Sequence, residues 1–221
     1  MWVVVGARDD MIEAAERLVA EHGIAAMSLR EVQKAAGQRN KSAAHYHFGD
    51  RDGLIAAILT TRMAPINAER ARRLTELDAR PRPATARDLM EVMVEPLAAA
   101  TLRPGSCWAR FLAQGWTDPV LAEVVRRVAE GEAYRATRDR LVAAVHPDVP
   151  KPLRARRVDT VIGMLFLALA AAERQLADTG SLRLPVSAIV ADLVDTGTAI
   201  ITAPSSVTAD PVPAGSHSGG T

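Results

Sequence analysis

This chain of 221 residues lacks several things, and each shortage excludes a class of protein. A single cysteine, Cys107, leaves neither a disulfide scaffold nor a cysteine-built zinc cluster. The formal net charge is only +1. An indiscriminate polyanion binder would carry a large basic excess, so that class is excluded, although positive charge confined to one small surface is not. Long apolar runs are missing too. The longest, residues 161–172, falls well short of the roughly 20 residues that span a bilayer. Residues 1–6, MWVVVG, lack the basic start and the length of a secretory signal. The expectation is a cytoplasmic protein with no membrane segment.

What is abundant is alanine: 41 residues, against eight aromatics. Alanine is the best helix former, and strand-favouring runs are few, so an all-α chain is predicted. Charged residues at 24% and hydrophobic residues at 48% exclude wholesale disorder. The 24 arginines against three lysines fit a GC-rich bacterial coding bias better than any ligand.

Punctuation divides the chain. Asp9 or Asp10 can cap a first helix that Gly23 stops near His22. Ser28-Leu29-Arg30-Glu31 reads as a capping box opening a short helix that ends at Gly37. Asn40 can cap a third helix from Lys41 to Phe48, and Gly49-Asp50 recaps a longer one marked by Leu54, Ile55, Ile58, Leu59 and Ile66. After the stiff 80–83 stretch (RPRP), helices are expected at about 85–101, 106–116, 118–145, 151–178 and 185–203. The expected domains are 1–50, a three-helix head, and 51–203, a helical body, with a disordered tail over 204–221.

In the last two helices Val158, Ile162, Leu165, Leu169, Ala172 and Leu176, then Val190, Leu193, Gly197 and Ile200, repeat at heptad spacing. Such seams suit helices packed at shallow angles, so a second copy could complete a four-helix bundle across them. The other reading is that both helices pack on their own core.

The stretch from Ser28 to Phe48 describes two short helices joined by a turn beginning at Gly37, a helix-turn-helix. The second helix of such a pair places its N-terminal residues against base edges in the DNA major groove. From Gln33 to Gly49 there is no acidic residue, while Lys34, Arg39 and Lys41 are basic; residues 1–55 as a whole hold seven basic and eight acidic side chains. Candidate DNA contacts are Ser28, Gln38, Arg39, Asn40 and Ser42, together with Lys41, His45, Tyr46 and His47, which can reach phosphates.

AEHG, SLREV, AG and HYHF followed by GDRDGL make residues 9–60 resemble the N-terminal domain of TetR-family transcriptional regulators. Asn40 stands at the family's Ser cap position, Arg39 is an extra turn residue, and His45 replaces a common Tyr. The resemblance implies a homodimer whose two heads bind half-sites of a pseudo-palindromic operator on double-stranded DNA. It implies an effector pocket in the C-terminal body, with a small molecule relieving repression.

Met90, Met93, Cys107, Trp108, Phe111 and Trp116 are candidates for lining that pocket, which would take an apolar effector without any cofactor. Ordinary core packing is the competing reading for each. No Glu-x-x-His pair, GxSxG, P-loop or GxGxxG occurs, so neither a metal nor a catalytic group is expected. The arginines at 62, 70, 72, 73, 80, 82 and 87 read as a solvated helix face. A helical ligand- or partner-binding protein that does not read DNA is the alternative.

Overall fold

The computed structural model describes residues 6–40, 42–118 and 131–207. Among them the chain is all-α: α1 (Ala7–His22), a 3-10 turn (Ile24–Ala26), α2 (Leu29–Ala35), α3 (Ala43–Phe48), α4 (Arg51–Asp78), α5 (Ala86–Thr101), α6 (Trp108–Thr117), α7 (Glu132–Ala144), α8 (Lys151–Thr179) and α9 (Val186–Thr202). Apolar side chains from Met11 to Ile201 form one continuous core.

Three expectations shift. Asp9 and Asp10 lie in the first turn of α1, not at its cap, where Gly6 stands; there they still face the positive end of the helix dipole. Asn40 does not cap a helix starting at Lys41. Its Oδ1 accepts from the Ser42 backbone N–H at 3.0 Å, a local Asx turn, and α3 begins only at Ala43. The expected 118–145 helix is interrupted, since Gly131 is extended (φ −60°, ψ 158°) and α7 starts after it. Its residues 119–130, and 208–221 of the expected tail, lie outside the described residues.

α4 is the spine joining head and body. Arg51 at its start donates to the carbonyls of Met27 (3.0 Å) and Ile24 (2.9 Å), fastening it to the α1–α2 connection. Arg62 forks onto Glu16 of α1 at 2.6 and 3.0 Å. Two turns later Arg70 donates to the Met93 carbonyl of α5, and Arg73 pairs with Glu95. The same helix therefore belongs to the head in its first half and to the body in its second.

The arginine run is not a plain solvated face. Arg62 meets Glu16, Arg72 and Arg73 meet Glu69, Arg80 and Arg82 meet Asp88, and Arg87 meets Glu91 and Asp195. Arg70 is buried. Asp88 also closes a capping box at the start of α5: Thr85 Oγ1 accepts from the Asp88 N–H, and Asp88 Oδ2 accepts from the Thr85 N–H at 2.8 Å. The Arg82 guanidinium, with Thr85, holds this carboxyl well below its ordinary value of 3.8. The folded chain thus binds this proton more weakly than the unfolded chain, so the group's stabilisation is present above about pH 4 and is lost as pH falls further. Asp88→Asn should cost about 2 kcal/mol at pH 7 in urea unfolding, with the gap to wild type shrinking by pH 3. A gap that stays constant across that range would contradict the assignment.

The heptad seam turns inward. Val158, Ile162, Leu165, Leu169 and Leu193 are buried within the single chain, and Gly197 lets α9 approach α5 so closely that an added Cβ would collide with Met90. Leu176, Val190 and Ile200 are half-buried. For the buried members the own-core reading holds, because α6 and α5 already cover that side of α8 and α9. The outward face of α8 carries Thr160, Leu167 and Ala171, with Leu167 55% exposed. By length and apolar composition α8 could cross a bilayer, but it packs here against α5, α6, α7 and α9.

Candidate nucleic-acid interface

The head is built by three caps. Ser28 Oγ accepts from the Glu31 N–H at 3.2 Å and starts α2. At the end of α2, Gly37 takes φ +65°, a conformation only glycine adopts without strain, and the Gln38 N–H returns to the Gln33 carbonyl at 3.0 Å while the Gly37 N–H reaches Lys34. This closure reverses the chain toward α3. Asp50 Oδ1 then accepts from the Gly53 N–H at 2.7 Å and launches α4. Ala44 and Phe48 point into the core, as their four-residue spacing predicts, and α3 is thereby pinned with its other side outward.

On that outer side Ser42, His45, Tyr46 and His47 are exposed, Tyr46 by 84%. The Tyr46 and His47 rings meet edge-on, with centroids 5.2 Å apart. Arg39 and Asn40 are exposed in the turn, and the Gln33 amide donates to the Asn40 carbonyl, bracing the turn against α2. Lys41 lies outside the described residues.

Between α2 and α3 runs an open groove of about 620 Å³ lined by Leu29, Arg30, Gln33, Lys34, Gln38, Arg39 and His45. The structure thus unites Gln38, Arg39 and His45 with Arg30 and Gln33, which sequence reasoning left out of the site. Arg30 and Lys34 lie four apart on a helix whose buried position is Val32, and that spacing was the signal available. Among the described residues no carboxylate lines this groove. Ser28 stands apart, its hydroxyl engaged at the cap. Arg8 sits inside α1, where it reaches the Thr61 hydroxyl at 3.5 Å and lies over the Phe48 ring.

The body's candidate pocket residues divide. Met90, Met93, Trp108 and Phe111 are fully enclosed, with Trp108 and Phe111 stacked at 5.4 Å. Trp116 instead lies at the rim, edge-on to Phe166. Cys107 lines a polar cleft of about 230 Å³ with Glu13, Glu16, Arg17, Arg62, Arg103 and Ser106, where α1, α4 and the approach to α6 converge. Burial pushes the Cys107 thiol up, the opposite of what a reactive cysteine needs. Burial also raises Glu16, against the opposing pull of Arg62. Beside the cleft, Glu173 of α8 is 1% exposed and accepts from the N–H groups of Ala109 and Arg110 at 3.0 Å, from Ser106 Oγ at 2.7 Å and from Arg110 Nε at 3.2 Å. It caps α6 from another helix, a role invisible in the local sequence.

A short, glycine-closed turn, two packed helices and an acid-free outer groove define a helix-turn-helix head of the DNA-binding type. Known proteins agree. A sequence model described as "Bacterial regulatory proteins, tetR family" matches residues 11–58, so the head is similar in sequence to that family. The chain is 34% identical over 65 residues to the HTH-type transcriptional repressor AcnR of Corynebacterium glutamicum, a match spanning 28% of this chain and 34% of that protein. It thus spans about a third of the length of that curated relative. The fold extends further. The fatty acid degradation regulator FadR from Bacillus halodurans superposes with a TM-score of 0.58 at 13% identity, covering 89% of this chain and 97% of that one. A TetR family transcription regulator from Marinobacter aquaeolei gives 0.54 at 19%, covering 88% and 95%. Head and body together therefore share one fold with these solved regulators.

Proposed function

We propose that the protein is a homodimeric, ligand-responsive transcriptional regulator that binds a palindromic operator through the α2–α3 face and is released by a small molecule. The observation that carries this reading is the acid-free groove between α2 and α3, bordered by Arg30, Lys34, Arg39 and His45 on an otherwise charge-balanced chain. The repressor named among its relatives supports repression as the sign of regulation. Acting on DNA, it would work in the cytoplasm.

Within the face, Arg39, Asn40 and Ser42 are assigned to base edges, with Gln38 beside them, and Lys34, Lys41, Tyr46 and His47 to phosphates. Lys34→Ala and Lys41→Ala should each weaken binding similarly on all sequences and reduce the slope of log affinity against log salt by about one. A change in operator preference would reverse those roles. Arg39→Ala should relax specificity and cost about 1–3 kcal/mol, read by titrating operator variants in a mobility-shift assay.

A second copy would meet the outward face of α8 around Leu167 and Ala171, together with half-buried Val190 and Ile200 of α9. Effector binding in the body would reach the heads through the α4 spine, the Glu16–Arg62 fork and the α6–α1 contact, by favouring a head spacing that no longer fits the operator.

A further inference from the structure

The described buried charges of this chain follow one pattern with one exception. Glu16, Asp88 and Glu173 each meet an arginine. Arg70 is 2% exposed and, among the described residues, meets no carboxylate. Its guanidinium has five N–H donors. One goes to Asn67 Oδ1 at 3.0 Å and one to the Met93 carbonyl at 3.2 Å, while buried Nε has no partner. The Tyr134 ring lies over it, 5.5 Å from centroid to guanidinium carbon. Burial draws its pKa down to about 10, so it remains a cation at neutral pH.

A buried cation satisfied only by two neutral oxygens and a ring face is costly, and a hydrophobic side chain of similar length would cost less. Every described arginine near it along α4 has a carboxylate, including the far more exposed Arg72. The missing anion is therefore the feature to explain. Asn67 adds a second donor. Its oxygen is turned to Arg70, so its half-buried NH2 faces away, toward Gly131 just before α7, and makes no hydrogen bond to another side chain or to the backbone among the described residues. Met93 of α5, whose carbonyl takes one of the Arg70 bonds, has an apolar and adaptable side chain.

We propose that Arg70, with Asn67, anchors a small-molecule site between α4, α5 and α7 whose ligand is an apolar organic carboxylate. The carboxylate takes the free guanidinium N–H groups, in the planar forked geometry that arginine offers, and the hydrocarbon part lies toward Met93. This deepens the effector reading above and rests on it for its regulatory meaning, but binding itself does not depend on that reading.

The test is thermal unfolding of the full chain with octanoate and phenylacetate, each compared with its neutral amide. At about 100-fold above its dissociation constant, a bound carboxylate should raise Tm by roughly 5–10 °C, with the amides giving far less. Arg70→Met should weaken carboxylate binding by about 10- to 100-fold while its ligand-free Tm stays at or above that of wild type. A purely structural arginine would instead lower that Tm and leave carboxylate binding unmoved. The proposal is overturned if the amides stabilise wild type as well as the acids do, if neither acid stabilises it, or if Arg70→Met responds as wild type does. The amide comparison uses wild type alone and stands even where the variant does not fold. A carboxylate that stabilises the chain without altering its DNA complex would keep the site and refute the regulatory reading.

Discussion

Glu173→Ala should destabilise the fold by about 3–5 kcal/mol in urea unfolding at pH 7. The buried carboxylate satisfies four donors: two backbone N–H groups at the start of α6, the Ser106 hydroxyl and Arg110 Nε. Those backbone groups have no partner inside their own helix, so the truncation strands them, together with a guanidinium that is itself largely enclosed. Glu173→Gln keeps the shape and one oxygen acceptor, so a smaller loss of about 2 kcal/mol is expected. Because α6 also packs on α1, the loss should appear first as loosening near the Ser106–Arg110 turn, visible by hydrogen exchange at Ala109 and Arg110. A loss under about 1 kcal/mol would show that water can replace the carboxylate, and the interhelical cap would not be what holds α6.

Gly53→Ala should cost about 3 kcal/mol and should also abolish DNA binding. A Cβ at this position would collide with the Phe48 backbone carbonyl, at the point where α3 turns into α4. A flexible side chain could move aside, but a helix-terminal carbonyl cannot move without tilting α3 and the exposed face that carries His45 and Tyr46. The same residue donates its N–H to the Asp50 cap, so any shift also strains that bond. Asp50→Ala removes the cap alone and should cost only about 1 kcal/mol. Comparing the two separates capping from the steric demand. If Gly53→Ala bound DNA with wild-type affinity, the α3–α4 junction would not fix the reading face.

The head was largely legible in the chain, because its information is local. Ser28, Gly37 and Asp50 mark ends that the structure places within a residue or two, and Ala44 and Phe48 fall inward as their spacing requires. Asn40 misled because the same side chain that can cap a helix can also close an Asx turn, and only the three-dimensional course of the turn decides between them. The box at Thr85 and Asp88 carries a readable local signal, Thr-x-x-acid, set among arginines.

Longer-range features were hidden for a different reason. Heptad spacing at Val158, Ile162, Leu165 and Leu169 shows that one side of α8 is covered, and periodicity is silent on whether the cover is the same chain or another. Arg70 sits among arginines that are exposed and paired, and nothing in its neighbours along the chain distinguishes it. Glu173 follows Leu169 by four on the buried stripe, and that position was the one hint of its role.

In the proposed function the α2–α3 face holds operator DNA as a two-headed clamp. Its most direct test is a footprint of the full chain on the DNA flanking its own gene, repeated across a salt series. Two protected half-sites related by a two-fold axis are expected, about one helical turn or a multiple of it apart, with affinity falling steeply as salt rises and falling less steeply for Lys34→Ala. Protection that is absent, or that is insensitive to salt and unchanged by Lys34→Ala, would contradict it.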